Sequence, residues 1–144
     1  MSSNQFEGTW RLITYEFRSA DGKVIRPFGA KPIGVFTWDK GGNVAAQIMG
    51  SERQSFTSDD PIKTTPGEAV AAMRSYIAYF GHGSVDESGG RVTTHVTGSL
   101  FPNWTGGEQV RFFRFSGERL TLSTPPMPIA GTAFTGLLEW EKIE

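Results

Sequence analysis

The sequence predicts an all-β fold: a closed up-and-down antiparallel β-barrel of about eight strands, with one α-helix inserted before the fourth strand. Three observations carry this. Short stretches rich in Val, Ile, Thr, Phe and Trp alternate apolar with polar residues, the period of a half-buried strand. Glycine-containing turns separate them at hairpin spacing. Closing consecutive hairpins into a barrel removes the exposed edges that an open sheet would leave, with a two-sheet sandwich as the other architecture the pattern allows.

Strands are expected near Thr9–Arg18, Ile33–Asp39, Asn43–Met49, Gly81–Asp86, Arg91–Leu100, Glu108–Ser116, Arg119–Thr124 and Phe134–Lys142. The turns Asp39-Lys40-Gly41-Gly42 and Asp86-Glu87-Ser88-Gly89-Gly90 link neighbours, and Gly117 in Ser116-Gly117-Glu118-Arg119 suits the first central position of a type II′ turn. Thr65-Pro66-Gly67-Glu68 reads as a capping box with proline at the first helical position, opening a helix that runs from Ala69 to Phe80. Val70, Met73, Ile77 and Phe80, spaced by three and four, predict that a wide face of this helix packs on the sheet.

A chain of 144 residues without a composition shift is expected to form a single domain over residues 1–144. Fourteen basic against fifteen acidic residues give no positive field for nucleic acid or an anionic membrane. With no cysteine, disulfides, thiolate metal sites and cysteine nucleophiles are excluded. Neither the opening Met1–Phe6 segment nor any later stretch has the apolar run of an export signal or membrane helix, so a cytoplasmic location is expected. Two histidines cannot make a three-histidine zinc site, and no phosphate loop, nucleophile elbow or zinc-protease motif occurs. No cofactor or metal is expected. A homodimer is compatible with the sequence.

Gly8-Thr9-Trp10-Arg11-Leu12, Tyr79-Phe80-Gly81, His95 with Gly98-Ser99, Pro102-Asn103-Trp104, Gln109-x-Arg111, Leu120-x-Leu122-x-Thr124-Pro125-Pro126 and Trp140-Glu141 together resemble the lipocalin-like domain family of small bacterial and fungal proteins. The resemblance spans nearly the whole chain and implies a lipocalin-type barrel around a cavity. Related small barrels in natural-product pathways act as cyclases or isomerases. The chain departs from classical secreted lipocalins in lacking cysteines and in offering Lys142, not arginine, as the base nearest the Gly-x-Trp tryptophan.

Alternation sorts the cavity-facing residues. If Trp10 points inward, so do Leu12, Thr14 and Glu16, and the same rule favours Phe36 with Trp38 and Leu138 with Trp140. Gln109, Arg111, Phe113 and Phe115 share a face of the sixth strand. On the fifth, apolarity alone turns Val92 and Val96 inward, whereas the resemblance favours His95; the second choice places His95, Gln109 and Arg111 in one polar strip. An arginine inside a barrel needs a carboxylate, hydrogen bonds, water or an anionic ligand, and Glu16 is the carboxylate that alternation offers.

The expected ligand is a small, largely apolar organic molecule with a polar or anionic end. It would be held by Thr14, Phe36, Trp38, Asn103, Trp104, Gln109, Phe113 and Trp140, near the Leu100–Gly107 loop. One reading is a cofactor-independent isomerase or cyclase of polyketide-like compounds. Arg111 would stabilise enolate charge while His95 or Tyr79 transfers a proton. The other reading is a non-catalytic carrier or storage protein, and a third is a barrel whose filled interior serves protein interaction.

Overall fold

The computed structural model describes residues 4–144. Ten strands follow in chain order: β1 (Gly8–Ser19), β2 (Val24–Ile25), β3 (Ile33–Trp38), β4 (Asn43–Met49), β5 (Tyr76–Asp86), β6 (Arg91–Ser99), β7 (Glu108–Ser116), β8 (Arg119–Ser123), β9 (Met127–Ile129) and β10 (Thr132–Lys142), with helix α1 (Pro66–Arg74) between β4 and β5. Eight of them close an antiparallel barrel through a β1–β10 seam, in the order β1, β3, β4, β5, β6, β7, β8, β10. The two short strands extend this sheet, β2 against β1 and β9 against β10. Gly117 has a φ of +59°, the positive angle its turn position requires, and Ser116 pairs with Arg119 across it. No helix among the described residues is long and apolar enough to cross a membrane.

The helix ends earlier than its apolar spacing predicts. The capping box forms as expected: the Glu68 amide donates to Thr65 Oγ1 at 3.2 Å, and the Thr65 amide donates to Glu68 Oε1 at 3.0 Å. Beyond Arg74, however, Tyr76–Phe80 are the first half of β5 and pair residue for residue with β4. A branched and aromatic run gains more from an existing strand edge than from one further helical turn. No residue of α1 is buried, so the predicted packing of a wide helical face is absent. The helix is tethered at its C-terminal end, where Arg53 Nη2 donates to the Ala72 carbonyl at 3.2 Å and Arg53 Nε to Ser75 Oγ at 3.0 Å.

Two bulges interrupt the alternation. In β1 the register against β10 shifts between Leu12, opposite Trp140, and Thr14, opposite Glu139. Directly opposed residues share a face, so Trp10 and Leu12 point inward before the bulge and Tyr15 and Phe17 after it. The second bulge lies between β5 and β6, where Gly81 faces Val96 and Phe80 faces Gly98, leaving Thr97 as the extra residue.

One half of the barrel is densely filled. Trp10 stacks on Phe36 at 5.6 Å, and Phe36 meets Trp140 edge-on at 4.9 Å. Phe6 stacks on Trp38 at 5.1 Å and touches Phe113 and Phe115 with its edge, closing that end from the N-terminal segment. Leu120 is fully buried beside Trp140, its partner on β10. Gly83 makes this packing possible, because the Trp38 indole lies against its Cα, where a methyl would stand 2.7 Å from Cζ2. Lys142 Nζ sits 5.7 Å from the Trp10 ring centroid, so a base does cover this tryptophan, as a lysine cation on an indole face.

Candidate functional site

The other half is different. Here inward positions carry Tyr15, Ile77, Tyr79, Gln109, Arg111 and Leu122, and all of these are only half-buried although they face the barrel axis. Accessible surface on inward side chains means that this end is open to solvent and less completely filled than the other. Its base is a layer formed by Tyr15, Leu138, Leu122 and Phe113, successive partners across β1, β10, β8 and β7. Trp140 and Leu120 lie one layer deeper.

Arg111 is placed inward by its pairing with Val92, which is buried, and Gln109 by its pairing with Thr94. The guanidinium donates from Nη2 to Gln109 Oε1 at 2.9 Å and from Nη1 to the Val110 carbonyl at 2.8 Å. No carboxylate among the described residues lies within salt-bridge distance of it. Glu16 is not its partner. The β1 bulge turns Glu16 to the outer face, where it is buried under Arg18, whose Nε donates to Oε1 at 2.9 Å, and Arg26, whose Nε lies 3.4 Å from Oε2. Two phenols share the cation's surroundings. Burial pushes Tyr15 above its ordinary value of 10.0, an effect the Arg111 charge partly offsets, and Tyr79 is raised for the same reasons.

The mouth is furnished by two loops. Trp104 meets the Tyr79 ring edge-on at 6.1 Å and Phe101 at 5.2 Å. Their loop is fastened to β6, with the Gly106 amide donating to the Val96 carbonyl and the Val96 amide to the Gly107 carbonyl, each at 2.9 Å. On another side Phe28 packs edge-on against Tyr15 at 5.5 Å. Phe28 also lines a broad outer groove of about 960 Å³ between residues 27–31, residues 50–56 and α1.

Several expected site residues lie elsewhere. His95 is on the outer face, because Val92, Thr94 and Val96 take the buried positions of β6; apolar periodicity, not the resemblance, identifies the inward face. Its Nδ1 lies 3.1 Å from Glu108 Oε2 and its Nε2 3.4 Å from Ser84 Oγ, with His95 and Glu108 more than half exposed. Thr14 faces outward with Glu139, beyond the bulge. Phe36 and Trp38 are consumed in packing the filled half, and Asn103 is exposed at the mouth. Trp140 is buried beneath the hollow, with an indole N–H that has no acceptor among the described residues. Tyr79, Trp104, Gln109, Arg111 and Phe113 do come together. Tyr15 joins them unpredicted, although the change of apolar parity from Trp10 and Leu12 to Tyr15 and Phe17 signals the bulge in the sequence itself.

The fold and interior define a class: a small antiparallel barrel, densely aromatic at one end and less filled at the other, where the Arg111 guanidinium has no carboxylate partner among the described residues. The chain belongs to the lipocalin-like domain family, whose model matches residues 7–143. It is 33% identical over 107 residues to the 4'-hydroxy-3'-methoxypropiophenone carrier protein ppsC of Aspergillus oryzae, a match covering 69% of this chain and 96% of that protein.

Proposed function

We propose that this protein is a carrier for a small aromatic ketone or a similar oxygen-bearing apolar metabolite, held with its ring in the hollow half of the barrel and its oxygens toward Arg111. The observation that carries this reading is the Arg111 guanidinium, lodged among aromatic side chains and bonded only to Gln109 and a neighbouring carbonyl. A cation so placed gains from any ligand that brings an acceptor or a negative charge. Tyr15, Tyr79, Phe113 and Trp104 supply aromatic surface and hydroxyl groups around it. The relative's cargo, 4'-hydroxy-3'-methoxypropiophenone, has that character: one ring, a ketone and a phenol.

The isomerase or cyclase reading keeps Arg111, Gln109 and Tyr79 but loses its imidazole, since His95 is outside. The inward tyrosines, with raised pKa, are poor bases at neutral pH. The carrier reading is the one these groups favour.

The test is calorimetric titration with 4'-hydroxy-3'-methoxypropiophenone, followed by recovery of the ligand after denaturing the complex. A carrier binds it and returns it unchanged. Arg111→Met is expected to weaken binding about 10- to 100-fold, the worth of one charge-assisted hydrogen bond. Equal affinity in the variant, or a chemically altered ligand, rejects the proposal.

A further inference from the structure

We infer that the interior takes its ligand in the ionised form, as a phenolate or enolate, in preference to the neutral molecule. This rests on the carrier reading above and adds the charge state of the cargo.

The argument is a count of donors and acceptors. Arg111 carries five N–H donors and no acceptor, and only two of its nitrogens are engaged. Because Gln109 Oε1 already accepts from Arg111, the amide offers the interior its NH₂. Neither the Tyr15 nor the Tyr79 hydroxyl has a side-chain or backbone partner among the described residues, and burial keeps both protonated, so each has an O–H to give.

Against these stand no acids. Glu16 faces outward to Arg18 and Arg26, Glu108 outward to His95, and Glu141 to Arg11 and Arg119, while Glu139 shares the outer face with Thr14. Apart from Lys142, which covers Trp10 at the filled end, the inward positions of β4, β6, β8 and β10 hold no ionisable side chain. The hollow half is therefore a donor-rich compartment of net charge +1. A neutral phenol brings a proton for which the tyrosine and Thr94 hydroxyls are the side-chain acceptors, whereas a phenolate accepts only and supplies the missing counter-charge. Hydrogen bonds to an ionised acceptor are roughly twice as strong as neutral ones.

The probe is 4'-hydroxy-3'-methoxypropiophenone with the intact protein, its phenolate absorbing at longer wavelength than its phenol. Calorimetry reads affinity across pH, and difference absorbance reads the charge of the bound molecule. The phenol's apparent pKa is expected to fall by at least about one unit on binding, equivalent to tenfold tighter binding of the anion. Arg111→Lys should retain part of that shift and Arg111→Met should lose it. The O-methyl ether, which cannot ionise, should bind more weakly and without pH dependence. Binding with the probe still protonated, or an affinity that falls as pH rises toward the free phenol's pKa, overturns this inference and leaves the carrier reading standing. No heat of binding at any pH overturns the carrier reading, and this inference with it.

Discussion

Leu120 and Leu122 lie two residues apart on the same face of β8, yet one belongs to the filled half of the barrel and the other to the hollow half. Truncating each to alanine tests that division. Leu120 is 0% exposed, enclosed by Trp140 and Phe115. Removing three carbons from it forfeits about 2.4 kcal/mol of transfer energy at ~0.8 kcal/mol per methylene. The rigid aromatic neighbours cannot collapse into the gap, so a cavity penalty adds about 1 kcal/mol or more, giving a total near 3–4 kcal/mol. Leu122 already borders open space, so its truncation loses only part of the transfer energy and creates no new void, about 1–1.5 kcal/mol. Urea denaturation followed by tryptophan emission measures both. With a shift of roughly 3 °C per kcal/mol, the melting temperatures should drop by about 10 °C and about 4 °C. Only Leu122→Ala should also weaken ligand binding. Equal losses of 3 kcal/mol or more in the two variants would mean that the upper half is packed solid, refuting both the hollow and the site built on it.

Gly83→Val should destabilise the barrel by about 1–3 kcal/mol, because the new side chain must displace the Trp38 indole; a red-shifted Trp38 emission would accompany the lower melting temperature, and an unchanged melting point would contradict the close approach seen here. Tyr15 and Tyr79 hold their protons more tightly in the folded protein than in the unfolded chain, chiefly through burial. Their contribution to stability is whole below about pH 10 and drains away as pH climbs through the raised values. Tyrosinate absorbance should therefore report two late-titrating phenols, and Tyr79→Phe should flatten the alkaline loss of stability; two early-titrating phenols would show that the site is fully hydrated.

Much of the barrel is legible in the sequence because its rules are local. A glycine at the head of a two-residue hairpin loop and a Thr-Pro-Gly-Glu capping box each dictate a backbone conformation whatever surrounds them, and Gly117 and Thr65 behave accordingly. The residues Tyr76–Phe80 do not, because their spacing satisfies both a helix and a strand and only the β4 edge decides between them. Strict alternation places Gln109 and Arg111 correctly in β7, an uninterrupted strand, and misplaces Thr14 and Glu16, which follow a bulge. His95 illustrates a different failure. Val92, Thr94 and Val96 carry the inward signal in their chemistry, and a motif shared with a family says nothing about which way its members point. The hollow itself is invisible to pattern reading, since Leu120 and Leu122 look alike until the neighbours are known.

The bulge in β1 also bears on how such a barrel changes its cargo. One residue in the Leu12–Thr14 stretch decides whether Tyr15 or Glu16 belongs to the lumen. The same chain with the bulge straightened, so that Ile13 pairs with Glu139 and Thr14 with Leu138, would carry the Glu16 carboxylate into the compartment that Arg111 occupies and send the Tyr15 phenol out. The lumen would then neutralise itself, and the anion preference proposed above would go with it. Gain or loss of the bulge at this point on the seam would thus change the charge of the lumen without any substitution among the residues of β1.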